Sequence, residues 1–363
     1  MSIVPGADAE DLREHLRKFL ETQAGRDRLR AELDSDAGYD GTLWRRSVRE
    51  LGLTGLLVPE ANGGSAVELL TLGVVFEELG RALVCAPFLS TIGLATTALL
   101  RAVPSDTAAP LLSAIMAGRV ATLAWSGPQP SGTNLAWDGT TVTGAAPVVV
   151  DGADADELLV AARSRTGTVD LLQVPAGAPG VVRTALVTLD TTRRLGRVAF
   201  ESAPATVLAS DVGGPLDGAV AVASLLLGAE QVGAARRTLE MAVETARTRV
   251  QFGRPIGSFQ AVKHRCADML VDVELSRSLV YGALHAVDED PAAATLEAAL
   301  VRGFVSDACL SVAAANIQVH GGTGFTWEHD AHLYLKRAKA SQSLFGSPTT
   351  ARRRAAALLG VQP

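Results

Sequence analysis

Cysteine, lysine and long apolar runs are scarce in this chain of 363 residues, and each scarcity removes a class of protein. The three cysteines, Cys85, Cys266 and Cys309, are odd in number and form no CxxC or Cys/His spacing, so neither a disulfide framework nor a zinc site is indicated. They read as buried thiols. No uninterrupted apolar run reaches the roughly 18–20 residues that a membrane span needs. The opening MSIVPGADAEDLREHLRKFL has no basic segment followed by an apolar one, as a secretory leader would. The expectation is a cytoplasmic protein with no membrane span. Of 33 basic residues only Lys18, Lys263, Lys336 and Lys339 are lysine, and net charge is −6. Basic residues are spread along the chain apart from Arg352, Arg353 and Arg354, which argues against nucleic acid as a partner.

What is present is apolar and periodic. Hydrophobic residues make up 48% of the chain, enough for real cores, and the length predicts two or three domains. Leu12, Leu16, Phe19 and Leu20 recur at helical spacing, and Phe76, Leu79 and Leu83 mark a second helical stretch beyond the Pro59 and Gly63-Gly64 interruption. From Ala121 to about Val212 the pattern changes to short β-branched runs such as TVTGAAPVVV, ELLVAA and GRVAF, separated by Gly, Asp, Pro and Ser. Helical periodicity then returns, with Leu225, Ala229, Val232, Leu239, Val243 and Ala246 on one stripe and Val262, Cys266, Met269 and Val273 on another. The predicted architecture is α+β multidomain: an all-helical domain over 1–116, a central β domain over 117–215 and a C-terminal helical bundle over 216–363.

Four segments, VRELGLTGLLVPEANGG, FEELGRALVCAPF, RTRVQFGRPIGSFQAVKHRCADM and IQVHGGTGFTWEHDAHLYLKRAKA, resemble the acyl-CoA dehydrogenase family, in the family's order and over most of the chain. The resemblance implies a helical N-terminal domain, a β-barrel-like middle and a C-terminal four-helix bundle. It also implies FAD held between two subunits, with Arg249, Phe252, Gln260, Gln318, Gly321 and Gly322 reaching a neighbour's cofactor. The chemistry of these residues agrees. Arginine offers permanent charge and a planar fork of donors suited to a diphosphate, and paired glycines let backbone amides approach phosphate oxygens. For the subunit's own flavin, the family's Thr-Glu-Pro, Gly-Ser-Asp and Trp-Ile-Thr segments are replaced by TLAWSGPQPSGTN and GAAPVVVDGADAD. Ser126 and Thr133 remain as candidate flavin contacts there, and Val148 stands where the tryptophan is expected.

Family chemistry needs a carboxylate base beside the thioester, a group that contributes about 10²–10⁴-fold. Counting along the motifs puts Phe345 at the usual position of that glutamate and Ala223 at the alternative one, and neither accepts a proton. No catalytic residue and no metal ligand is therefore assigned. Glu230 lies two turns on from Ala223, about 10 Å away along a helix. Glu240, Glu244 and Glu274 read as helix-surface residues, and Glu328 and Asp330, beside His329 and His332, as a helix cap. The chain is similar to one of two unlike subunits of α2β2 bacterial members of sterol side-chain degradation. That resemblance implies a paralogous partner supplying the glutamate, an acyl-CoA substrate and an electron-transfer flavoprotein as acceptor. Two readings stay beside it: a self-sufficient homotetramer with a base elsewhere, and a non-catalytic acyl-CoA- or flavin-binding scaffold. A nitroalkane oxidase with an aspartate base is disfavoured by the same two positions.

Overall fold

The computed structural model describes residues 5–33, 39 and 41–361. The chain runs from helices through a sheet back to helices. The N-terminal helices are α1 (Ala7–Gln23), α2 (Arg26–Leu33), α3 (Gly41–Leu51), α4 (Leu69–Arg81), α5 (Thr97–Ala102) and α6 (Ser105–Met116). Eight strands follow, β1 (Ala121–Ala124), β2 (Ala136–Trp137), β3 (Thr141–Val150), β4 (Glu157–Arg163), β5 (Val169–Pro175), β6 (Val181–Ala185), β7 (Leu195–Pro204) and β8 (Thr206–Ala209). The C-terminal bundle comprises α7 (Gly213–Thr248), α8 (Gln260–Glu289), α9 (Ala294–His320), α10 (Ala331–Ser343) and α11 (Pro348–Leu358), and a small hairpin, β9 (Val250–Gln251) and β10 (Arg254–Pro255), joins α7 to α8. The order helix, sheet, helix is the one that the periodicity predicts.

Two compact units carry these elements. The first combines residues 1–25, 73–84 and 225–363. Within it α1 is fastened by charge. Arg17 donates to both oxygens of Glu78, and Arg13 bridges Glu78 and Glu77 at 3.1 Å each while donating to the Tyr281 hydroxyl at 2.9 Å. Tyr281 in turn donates to Glu77. The side chains of Glu77 and Glu78 are only 4% and 2% exposed, so the arginines are what make their burial tolerable. Burial, and then the charge of Glu77, raise the ionisation of Tyr281 far above its ordinary range, keeping it a neutral donor.

The same unit contains a close crossing of α4 and α7. A Cβ added to Gly80 would overlap the carbonyl of Glu230, and one added to Gly233 would overlap the carbonyl of Glu77. The two helices thus meet backbone to backbone at reciprocal glycines. Gly228 does the same for side chains: its missing Cβ leaves room for Val301 of α9 and Val280 of α8.

The second unit combines residues 26–72 and 85–224. Its sheet is curled, ordered β6-β7-β3-β2-β4-β5-β8, with β1 pairing β4 off that path. Most neighbours are antiparallel, and β1–β4 and β2–β4 are parallel. Strands β4 and β5 are almost wholly buried, which explains their continuous apolar runs, whereas β6 at the end of the order is exposed along most of its length. Residues Leu89–Thr96 are π-helical and all buried, and Thr96 and Thr97 each donate to the carbonyl five residues back. Such a stretch is uncommon and concentrates at functional sites. Trp44 of α3 packs edge-on to Phe88 at 5.1 Å and donates its indole N–H to Gly118 O.

Two expectations need adjustment. Cys85 and Cys309 are buried, but Cys266 is half-exposed, because the first two turns of α8 are open to solvent on most faces. Although no uninterrupted apolar run is long enough, Gly213–Thr248 and Pro291–Phe325 do contain windows apolar enough to cross a membrane. Those windows are 100% and 61% buried in the protein, as core helices are.

The glycine crossing yields a direct test. Gly233→Ala should destabilise the chain by about 3 kcal/mol or more, because the added methyl has backbone rather than a flexible side chain to displace. Urea denaturation followed by circular dichroism measures it. A loss under about 1 kcal/mol, the scale of ordinary surface substitutions, would show that α4 and α7 do not cross this closely.

Candidate functional site

Ala223 and Phe345, the two positions that motif spacing predicts for the base, lie in different surroundings. Ala223 lies in the first third of α7 with no exposed surface. A Cβ on Gly93, in the π-helical stretch, would sit 3.7 Å from Ala223 Cβ. The space around residue 223 is therefore occupied by packing of α7 on the Leu89–Thr96 segment. Phe345 lies in the turn between α10 and α11 with φ of 60°, and Gly346 follows at 104°. Arg302, on α9, donates to Gln342 O at 3.2 Å and Gly346 O at 2.6 Å, bracketing that turn. Burial lowers the Arg302 pKa to about 10, which still leaves it cationic at neutral pH. Nearby, Asp307 accepts from Gln342 and Arg352, so the Phe345 turn is held by side chains from α9, α10 and α11.

Other carboxylates on these helices are engaged or remote. Glu230, two turns beyond Ala223, is paired with Arg337 at 2.8 Å, with both side chains under a tenth exposed. Glu240 accepts from Arg81 at 2.6 Å and pairs with Arg237 at 3.4 Å; burial opposes its ionisation, but the two arginines outweigh it and lower its pKa. Glu274 pairs with Arg236, and Glu244 is exposed. Around Glu328 and Asp330, the anticipated carboxylate cap is absent: Asp330 occupies the N-cap of α10 without a side-chain cap bond, and the His329 Nδ1 accepts from Ala331 N–H instead.

The cofactor-facing candidates gather at the end of the first unit. Arg249 follows α7 and donates Nη1 to His320 O at 2.8 Å. That carbonyl belongs to the last residue of α9, where helix carbonyls lack intrahelical partners and the helix end carries partial negative charge. Gly321 comes next with φ of 64°, and a Cβ there would lie 4.0 Å from Arg249 Nη1; a Cβ on Gly322 would meet nothing. The two glycines thus keep a bare, exposed backbone beside a guanidinium that has no carboxylate partner among the described residues. This is a cradle suited to a diphosphate. Phe252 is at the tip of the β9–β10 hairpin, 92% exposed and with φ of 55°. Holding a phenylalanine there costs about 1 kcal/mol or more, which points to a role outside the chain's own core. Its ring meets Phe259 edge-on at 6.2 Å, and Arg254 stacks on Phe259 at 4.2 Å. Gln260 opens α8 and Gln318 lies in the last turn of α9, both exposed.

Sequence reasoning missed what surrounds Arg249. The Thr245 hydroxyl is 2.7 Å from His320 Nε2, His320 Nδ1 is 2.9 Å from Asn316 O, and the His320 and His329 rings lie 4.2 Å apart. The only signal was a histidine directly before Gly321-Gly322. In the other unit, Thr133 is fully buried, its hydroxyl donating to Ala161 O and accepting from the backbone N–H groups of Ser126 and Leu135. It has nothing left to offer a flavin. Val148 is 48% exposed and shields nothing within the chain.

A helical domain, a curled sheet and a helical bundle, in this order along the chain, form a dehydrogenase-type multidomain fold. The acyl-CoA dehydrogenase N-terminal domain matches residues 6–118, and the acyl-CoA dehydrogenase C-terminal domain matches residues 217–359. The acyl-CoA dehydrogenase IpdE2 of Mycobacterium tuberculosis is 38% identical over 352 residues, covering 97% of each chain. Among solved structures, the ChsE4-ChsE5 complex from Mycobacterium tuberculosis superposes with a TM-score of 0.91 at 31% identity over 100% of both chains. A variant of the Tcur3481-Tcur3483 steroid ACAD superposes at 0.87 with 28% identity, covering 97% of this chain and 98% of that one. This chain belongs to the acyl-CoA dehydrogenase family, FAD-dependent oxidoreductases acting on CH–CH groups.

If residue 223 is packed rather than open, Ala223→Glu should lower stability by about 3 kcal/mol or more, since a carboxylate would be forced into a site with no exposed surface. It should confer no acyl-CoA oxidation. A variant as stable as the parent and newly active on an acyl-CoA would show instead that α7 borders an open substrate cavity.

Proposed function

We propose that this chain is the base-lacking subunit of a two-subunit acyl-CoA dehydrogenase. It completes the FAD site of a paralogous partner, and that partner supplies the catalytic glutamate. The observation that carries the reading is a pairing of opposites. Both expected base positions hold residues that cannot take a proton, Ala223 and Phe345, while Arg249, Gly321 and Gly322 stand exposed, with no carboxylate partner for Arg249 among the described residues.

In that assembly Arg249 meets the diphosphate with permanent charge, and the bare backbone at Gly321 and Gly322 gives phosphate oxygens close access to amide N–H groups. Phe252 offers an apolar face next to it, and Gln260 and Gln318 add neutral donors and acceptors. FAD, when bound, supplies the hydride acceptor for α,β-desaturation of an acyl-CoA thioester. Residues of this chain bind and orient the cofactor; proton removal falls to the partner. Relatives named as a two-component complex and as a steroid ACAD support a heteromeric α2β2 assembly, and they make a steroid-derived acyl-CoA the first substrate to test. An electron-transfer flavoprotein as acceptor completes the reading.

The test is co-expression with a paralogous subunit that retains the glutamate. The chain alone should purify without stoichiometric FAD and without acyl-CoA oxidation, and the complex should be yellow and active. Arg249→Ala should reduce FAD affinity of the complex about 10-fold or more, as loss of a charge-assisted contact of about 1.5–3 kcal/mol requires. Full FAD and turnover in the isolated chain would overturn the proposal.

A further inference from the structure

Arg249 does not stand free at the end of α7: its position depends on a histidine whose hydrogen bonds can be read one by one. Asn316 O can only accept, so His320 Nδ1, 2.9 Å away, carries the proton. In the neutral ring Nε2 is then bare and accepts from the Thr245 hydroxyl at 2.7 Å. His329, whose ring lies 4.2 Å from this one and tilted by 52°, has the opposite tautomer, because its Nδ1 accepts from Ala331 N–H. In each ring the Nδ1 partner is a backbone group that cannot exchange roles, a carbonyl for His320 and an N–H for His329. His320 is 4% exposed, so solvent does not compete.

The consequence falls on the peptide that follows the ring. With its imidazole pinned at both nitrogens and against His329, His320 presents its main-chain carbonyl in one direction, and that carbonyl takes Arg249 Nη1 at 2.8 Å. A guanidinium held by one N–H edge keeps the remaining donors of its planar fork aimed away from the holder. Gly321, whose backbone passes beside Arg249 Nη1, starts at the same carbonyl. One histidine therefore fixes both halves of the phosphate cradle, the cation and the bare backbone. Thr245 lies one helical turn before Arg249 on α7, so the relay closes a ring: Thr245 holds His320, and His320 holds Arg249.

We propose that Thr245 and His320 are positioning residues for the FAD diphosphate. They hold Arg249 and Gly321 in the bound arrangement before the cofactor arrives, through a neutral His320 protonated at Nδ1. This rests on the trans-cofactor reading above. Preorganisation is where such a network contributes, because the cofactor then does not have to order the arginine on binding.

The experiment uses the co-expressed complex and FAD titration of its apo form. Thr245→Val keeps shape and removes the hydroxyl, and Thr245→Ser keeps the hydroxyl. The valine variant should bind FAD about fivefold to tenfold more weakly, as loss of one half-buried neutral hydrogen bond implies, and the serine variant should stay within about twofold of the parent. Combining Thr245→Val with Arg249→Ala should be no worse than Arg249→Ala alone, because both changes remove the same contact. Additive losses, or a valine variant that binds like the parent, overturn the positioning role while leaving the cofactor role of Arg249 standing. An Arg249→Ala complex with unchanged FAD affinity overturns both. In the unaltered chain, imidazole nitrogen NMR should find His320 protonated at Nδ1 and bare at Nε2, and the reverse tautomer rejects the relay even if a variant fails to fold.

Discussion

The close passage of α4 over α7 is the constraint on which much of the first unit depends. Gly80 and Gly233 let the two backbones meet, and the residues beside those glycines are charged: Glu77 and Glu78 on one helix, Glu230 on the other. Bringing backbones that near buries all three carboxylates, and a buried carboxylate is tolerated only with a partner in good geometry. Arg13 and Arg17 of α1, Arg277 of α8 and Arg337 of α10 supply those partners. Three further helices, α1, α8 and α10, are thereby tied to the α4–α7 crossing by charge as well as by apolar packing.

That arrangement also fixes the Glu230 side chain. Its pairing with Arg337 is part of the crossing, and Tyr334, one turn before Arg337, donates to the carbonyl of Arg81 on the facing helix. A carboxylate held this way by a buried guanidinium has little freedom to move away from it. The Phe345 turn is braced as well: a buried Arg302 donates to the carbonyls of Gln342 and Gly346, and Asp307 accepts from Gln342 and Arg352.

The phosphate cradle follows a different logic. Its parts are exposed, and their geometry comes from a helix end rather than from a core. The last carbonyl of α9 needs a donor and Arg249 provides it; the next residue must take a positive φ and is glycine. A single feature, the termination of α9, thus creates an oriented cation and an open backbone side by side. The half-buried Thr245–His320 contact links that surface feature to α7.

Much of this was legible in the residues themselves. Stripes such as Leu225, Ala229 and Val232 report a buried helix face because a helix repeats every 3.6 residues whatever it packs against, and the β-branched runs between Ala121 and Val212 report strands for the corresponding reason. The role expected for Arg249, Phe252 and Gly321-Gly322 came from the resemblance to a family, and the charge of arginine and the missing Cβ atoms of glycine agree with it. What needed the tertiary structure were facts about distance between remote residues. Sequence could place Glu230 near Ala223, but only folding brings Arg337, 107 residues away, to neutralise it. It could suspect Asp330 as a cap, but the backbone direction at α10 gave that task to His329. Likewise Thr245 and His320 are 75 residues apart, and a hydroxyl meets an imidazole only because α7 and α9 end at the same place. Periodicity and residue chemistry act locally and can be read along the chain; ion pairing, burial and tautomer choice depend on which segments folding brings within 3 Å of each other.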